Sequence, residues 1–179
     1  MSVEKVIATT KRWVERSVVG LNLCPFAESP YRSGRVRFVV SQERSAAALL
    51  QDLDSELQLL AAANPLQCET TLLIHPWVLT DFIEYNSFLE ICDARVAGLG
   101  LEGEVQVASF HPQYQFQGSQ PDDIENYTNR SPCPMLHLLR EASVERAIAA
   151  VGDTDEIYLR NMRTLRALGH AGWQRLWHD

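Results

Sequence analysis

The sequence predicts an α/β protein with a small three-stranded, mainly parallel sheet that is covered by helices and followed by a C-terminal helical pair. Three short runs rich in β-branched and aromatic residues predict strands at 36–40, 68–74 and 104–110. Amphipathic stretches with a helical period separate these runs. Strands joined by helices are usually parallel neighbours with right-handed crossovers, which favours this architecture. A ferredoxin-like α+β fold is the alternative, and it needs a further strand near 21–31 or 114–117.

The helices are predicted from apolar periodicity and from residues that start or stop a helix. Asp81, with Glu84 three residues later, resembles a capping box, and Asn64-Pro65 stops the helix before it. The predicted helices span 3–21, Ser41 or Ser45 to 61, Thr80 or Asp81 to 99, about Pro134 to 151, and Asp153 onward. An apolar tail is expected to pack back on the body through Trp173, Leu176 and Trp177.

Size and charge limit the class of protein. With 179 residues, 46% of them hydrophobic, the chain fits a single domain over 1–179 with a buried core. The formal net charge is −7, from 23 acidic and 16 basic residues, and no cluster of Lys and Arg could follow a phosphate backbone. We therefore expect no nucleic acid partner.

The N-terminus and the cysteines indicate the compartment. The first residues lead directly into an amphipathic pattern, and no apolar run approaches the roughly 20 residues that a membrane helix needs. The cysteines have no paired short spacing, so free thiols in a reducing compartment are the default. They are Cys24, Cys68, Cys92 and Cys133. We expect a cytoplasmic bacterial protein without a membrane partner.

Two histidines mark the best candidate site, because each follows a predicted strand and precedes a proline. His75 ends the second strand and His111 ends the third. If the strands are parallel, both imidazoles lie at the carboxyl edge of the sheet, where open α/β folds place their ligands. The loop 112–131 is too long to be a mere connection, which favours a functional site beside it. Further candidates are Tyr114, Asp122, Asp123, Asn129 and Arg130 in this loop, and His137 in the predicted helix after it.

Three functional hypotheses compete for these residues. His75 and His111 with Asp122 or Asp123 could bind a divalent transition metal that keeps open positions. Cys24 could be a nucleophile with His75 or His111 as its base, since only the thiolate attacks. An anionic small molecule could accept hydrogen bonds from His75, His111 and Arg130. Its other contacts would then come from Tyr114, Asn129 and His137. The structural alternative is that each His-Pro is a turn in which the imidazole bonds a backbone carbonyl, and that Cys24 is a core thiol.

Four long motifs resemble a known family. They are Gly20-Leu21-Asn22-Leu23-Cys24-Pro25-Phe26-Ala27, Leu73-Ile74-His75-Pro76, Ala108 to Phe116, and Asn126 to Pro132 continuing through Leu136 to Glu141. Together they are similar to the bacterial proteins of domain of unknown function 1415, over nearly the whole chain. The resemblance implies a single-domain cytoplasmic protein and transfers no functional residue. Cys133 stands where the family pattern has tyrosine, which counts against a required role for that thiol.

The leading hypothesis is a small enzyme that acts on an anionic small molecule at a His/Asp/Arg pocket, with a metal cofactor left open. The alternative is a non-catalytic small-molecule-binding or protein-interaction module. Homo-oligomerisation is left open as well.

Overall fold

A computed structural model describes residues 1–151 and 154–177, and Asp153, the predicted start of the last helix, lies outside them. The α-helices of this part of the chain are α1 (Val3–Trp13), α2 (Glu28–Arg32), α3 (Ala46–Ala62), α4 (Phe82–Gly98), α5 (Glu141–Val151) and α6 (Thr154–Arg175). A π-helix, Val14–Val19, continues α1, and a 3-10 helix lies at Ile124–Thr128. The strands are β1 (Val36–Val40), β2 (Thr70–Ile74), β3 (Val105–Phe110) and β4 (Met135–Arg140).

The strands form one mixed sheet in the order β1-β2-β4-β3. β1 pairs with β2 in parallel, whereas β4 pairs antiparallel with both β2 and β3. Because β2 and β3 both oppose β4, they run in the same direction, as predicted, although they are not neighbours. The α/β class and the C-terminal helical pair are confirmed. The prediction of three strands and a mainly parallel sheet is corrected to four strands in a mixed sheet.

The fourth strand is the main correction, because residues 135–140 were predicted to begin a helix. Met135 and Leu136 pack on opposite faces of the sheet, in different core clusters. A central strand with both faces covered is almost continuously apolar, and its sequence resembles a buried helical segment. The ferredoxin-like alternative also placed its extra strand elsewhere, at 21–31 or 114–117.

Helices cover both faces of the sheet. Residues of α3 and α4, among them Leu53 and Phe88, pack with Leu73 and Leu138 on one face. Residues of α1 and of the π-helix after it pack with Leu72, Ile74 and Met135 on the other. Side chains of the sheet can therefore contact one another only when they lie on the same face, under the same layer of helices.

The first residues of α3 and α4 are capped by side chains that the sequence offered as helix starts. Ser45 caps α3 by accepting from the backbone N–H of Ala48, and Asp81 caps α4 by accepting from those of Ile83 and Glu84. Such caps satisfy backbone donors that have no partner inside the helix.

The C-terminal tail returns to the body as predicted, since Trp173 is 8% exposed and packs with Leu23 and Leu165. The regular path of α6 breaks at Gly169, whose φ of 60° and ψ of 174° are not helical. No helix in residues 1–151 and 154–177 is long and apolar enough to cross a membrane.

Candidate functional site

His75 and His111 lie at the same edge of the sheet and on the same face, towards α4. Each directly follows a strand, and β2 and β3 run in the same direction. The ring of Tyr85 in α4 lies 5.8 Å from the His75 ring and 5.0 Å from the His111 ring, measured between centroids. Both histidines and Tyr85 are 0% exposed. The sequence therefore predicted the shared edge, and the structure adds the aromatic ring between the two imidazoles.

Tyr85 is held over β4, the strand that separates the two histidines. Its hydroxyl donates to the carbonyl of Met135 at 2.8 Å and accepts from the backbone N–H of Phe110 at 3.0 Å. Neighbouring strands are about 4.8 Å apart, so two strands with one between them are separated by about 10 Å. The histidines thus flank Tyr85 and do not converge on one point.

The hydrogen bonds at Nδ1 give the two histidines opposite tautomers. Nδ1 of His75 lies 2.9 Å from the carbonyl oxygen of Val78, which can only accept, so the proton is on Nδ1. Nδ1 of His111 accepts from the backbone N–H of Gln113 at 3.0 Å, so the proton is on Nε2. Both Nε2 atoms are buried without a hydrogen-bond partner. Nε2 of His75 is therefore a free acceptor, whereas the backbone of Leu79 and Thr80 lies beside the His111 ring.

Burial keeps both imidazoles neutral. It lowers the pKa of His75 to about 4, because a charged ring would lose its hydration in this apolar cluster. Burial also lowers the pKa of His111, against the opposing effect of the backbone at Leu79 and Thr80. Neither histidine carries a charge that could attract an anion near neutral pH.

The proposed metal ligands do not come together. Asp123 accepts from the backbone N–H of Gln120 at 2.8 Å and so stabilises a turn of the loop, while Asp122 is exposed. No group of three or more His, Cys, Asp or Glu side chains in residues 1–151 and 154–177 could hold a metal ion. The residues around His75 and His111 thus do not fit a divalent transition metal.

His137 lies on the opposite face of the sheet from His75 and His111. It is in β4 and not in the helix that was predicted there. Its ring contacts Phe110 at 6.0 Å, and its Nε2 lies 2.7 Å from the hydroxyl of Thr70. Since that hydroxyl gives its proton to the carbonyl of Leu138 at 2.6 Å, Nε2 is the donor. Burial lowers the pKa of His137 to about 4, which is typical of a structural histidine.

Cys24 also lies away from the two histidines. It packs against the cluster of Leu72, Ile74 and Met135 on the α1 face. Burial raises the pKa of the thiol, against the opposing effect of the backbone N–H groups of Phe26 and Ala27. A raised pKa reduces the thiolate fraction, so the geometry favours the core role over the nucleophile.

The loop 112–131 is ordered by the buried side-chain amide of Asn126. Oδ1 of Asn126 accepts from the backbone N–H of Phe116 at 3.0 Å and from the Ser119 hydroxyl at 2.8 Å. Its Nδ2 donates to the carbonyl of Gln120 at 2.7 Å. Asn129 closes the loop by donating to the carbonyl of Ser109 at 3.0 Å. Asn129 therefore has a structural partner in β3.

Arg130 is oriented by the same loop. Its Nε donates to the carbonyl of Tyr114 at 3.1 Å and its Nη2 to the carbonyl of Pro121 at 2.5 Å. The guanidinium carbon lies 4.5 Å from the centre of the Tyr127 ring. These contacts leave Nη1 and one Nη2 hydrogen for a ligand, and they hold the cation in one orientation.

Arg130 lines a groove of about 640 Å³ between α1, the loop and the C-terminal tail. Among residues 1–151 and 154–177, the lining combines three cations with four aromatic rings and includes no carboxylate, histidine or cysteine. The cations are Lys5, Arg12 and Arg130, and the rings are those of Trp13, Tyr127, Trp173 and Trp177. The groove lies beside the loop and has Arg130 in its wall, but neither His75 nor His111 lines it, so it is not the pocket that was expected at the two histidines.

The contribution of α1 to this groove could not be found in the sequence. Trp13 donates its indole N–H to the carbonyl of Arg130, 117 positions away in the chain. The amphipathic period identifies α1 as a helix with a basic side. No local signal says that this side faces the loop.

Comparison of the chain with known proteins identifies its family, and the description of that family names no activity. No curated protein and no solved structure matches the chain. A family model described as a protein of unknown function (DUF1415) matches residues 5–175. The chain belongs to this family, as its motifs predicted.

Proposed function

Since membership of this family names no activity, we propose from the geometry that the protein binds an anionic small molecule that carries a flat apolar part. The observation that carries the proposal is the groove in which Lys5, Arg12 and Arg130 lie among aromatic rings, with no carboxylate among the lining residues that the structure describes. Concave sites of this kind, apolar with a few convergent polar groups, are the usual form of small-molecule sites.

The charge distribution supports an anion. The chain carries a net charge of −7, and yet the groove concentrates cations. The side chains of Lys5 and Arg12 have no ion-pair partner among residues 1–151 and 154–177. Within the same residues Arg130 donates to carbonyls and to no carboxylate, so its charge is not neutralised there. A ligand with a negative group would supply the missing counter-charge.

The size and the aromatic rings support a flat apolar part. A water molecule takes about 30 Å³ of liquid volume, so a five-atom anion such as phosphate fills on the order of 100 Å³. The groove holds about 640 Å³. The remaining volume is bordered mainly by indole and phenol rings, which pack best against another ring.

Binding of biphenyl-4-carboxylate, followed by the fluorescence of the groove tryptophans, tests the proposal. We expect saturable quenching, with at least about tenfold weaker binding in Arg130→Gln because a charge-assisted bond is lost. Arg163→Gln is the matched control, since Arg163 is exposed on α6 and does not line the groove. No binding by the wild type, or equal affinity in Arg130→Gln, would overturn the proposal.

Catalysis at the two histidines is the second candidate, and one observation favours it. Nε2 of His75 is a buried acceptor without a hydrogen-bond partner, as a general base would be. Catalysis needs access to this atom, so reaction of the imidazole with diethyl pyrocarbonate tests it. Modification of His75 as fast as that of the exposed His170 would support the enzyme. A protected His75 would leave the histidines as core residues.

A further inference from the structure

We infer, resting on the proposed function, that the ligand of this groove is elongated and carries a second anionic group about two helical turns from the first. The groove runs along α1, where its wall includes Lys5, Thr9 and Arg12. Lys5 and Arg12 are seven residues apart, and at 1.5 Å per residue their backbones are separated by about 10 Å along the axis.

Two of the three cations stand at one end of the groove. The bond from the indole N–H of Trp13 to the carbonyl of Arg130, 3.0 Å long, brings Arg130 to the end of α1 that holds Arg12. The aromatic rings gather at this end as well. Tyr127 stacks under Arg130 and lies 4.9 Å from Trp173, and Arg16 donates to the carbonyl of Leu176 in the tail. We therefore place the aromatic ring of the ligand, together with its first anionic group, at this end of the groove.

Lys5 stands alone at the other end, beside the small side chains of Ala8 and Thr9. Lys5 and Lys11 are the only lysines of the chain, and both are on α1. Lys11 lies over the Phe38 ring at 5.4 Å, outside the groove. Lys5 makes no side-chain contact of this kind in residues 1–151 and 154–177, so its ammonium is free for the far end of a ligand.

A pair of rigid probes tests the second anionic group. Biphenyl-4-carboxylate carries one carboxylate, and biphenyl-4,4′-dicarboxylate carries two, separated by about the distance from Lys5 to Arg12 along α1. In the wild type the dicarboxylate should bind about fivefold more tightly, as expected for one further exposed ion pair. In Lys5→Gln the ratio of the two dissociation constants should fall to about two, the statistical factor that remains because either carboxylate of the symmetric probe can occupy the first site. Lys11→Gln should keep the wild-type ratio.

The outcomes separate the two proposals. If neither probe binds to the wild type, the groove is not a site for anions and both proposals fail. If the ratio in the wild type does not exceed this statistical factor, or if Lys5→Gln keeps the wild-type ratio, the second anionic group is refuted and the proposed function stands.

Discussion

The indole N–H of Trp13 donates to the carbonyl of Arg130 at 3.0 Å and so joins the first helix to the end of the long loop. Trp13 is buried and also makes an edge contact with Phe110, whose ring lies 5.3 Å away. One residue thus contacts the sheet, the loop and the groove.

Trp13→Phe should weaken both the fold and the groove, because an aromatic ring remains but the donor is lost. The carbonyl of Arg130 would be left without this partner, at a cost of about 1–3 kcal/mol if it stays buried. We also expect weaker binding of biphenyl-4-carboxylate, since Arg130 would no longer be fixed to α1. Urea denaturation and fluorescence titration measure the two effects. Trp77→Phe is the control, because Trp77 does not line the groove, and unchanged stability in Trp13→Phe would contradict the prediction.

Tyr85→Phe should destabilise the sheet edge without opening a large cavity. The hydroxyl bridges the carbonyl of Met135 in β4 and the N–H of Phe110 in β3. Its removal leaves two backbone groups without this partner, so we expect a loss of about 1–3 kcal/mol in the free energy of unfolding. Tyr158→Phe is the matched control, since Tyr158 is 48% exposed. Equal stability of the two variants would show that the bridge contributes nothing.

The sequence predicted the elements whose signals are local. The sequence predicted helix starts at Ser41 or Ser45 and at Thr80 or Asp81, because a cap depends on residues within one turn. The structure shows Ser45 and Asp81 as the caps. The shared edge of His75 and His111 was also predicted, since strand direction follows from helical crossovers. The strand at 135–140 was missed because a doubly buried strand lacks alternation. The ring of Tyr85 and the approach of α1 to the loop depend on tertiary packing, which no local pattern records.

The pH dependence of stability should reveal the neutral His75. Its pKa falls from an ordinary value of 6.5 to about 4 in the folded protein. Between these values the unfolded chain binds more protons than the native state, so stability is full above 6.5 and falls as the pH is lowered towards 4. The loss from this residue amounts to about 3 kcal/mol, since one pKa unit corresponds to about 1.4 kcal/mol.

Urea denaturation of wild type and His75→Gln at several pH values measures this contribution. His137 titrates in the same window, with a pKa of about 4, so the difference between the two proteins isolates His75. His170→Gln, at an exposed position, serves as the control. Parallel pH profiles of wild type and His75→Gln would mean that His75 is already charged in the native state or does not titrate there.

Gly169→Ala should disturb the tail that forms one wall of the groove. Gly169 has a φ of 60° and a ψ of 174°, a backbone region that is essentially restricted to glycine. A Cβ at this position would meet no neighbouring atom, so the cost is backbone strain of about 1–3 kcal/mol. Relief of this strain would move Trp173 and Trp177, whose rings line the groove. We therefore expect a changed tryptophan emission, a lower free energy of unfolding and weaker binding of biphenyl-4-carboxylate.

Gly98→Ala is the control, because Gly98 is the last residue of α4, has open space around it and should tolerate alanine. If Gly169→Ala matched Gly98→Ala in all three measurements, the break in α6 would not require glycine and the tail would not depend on it.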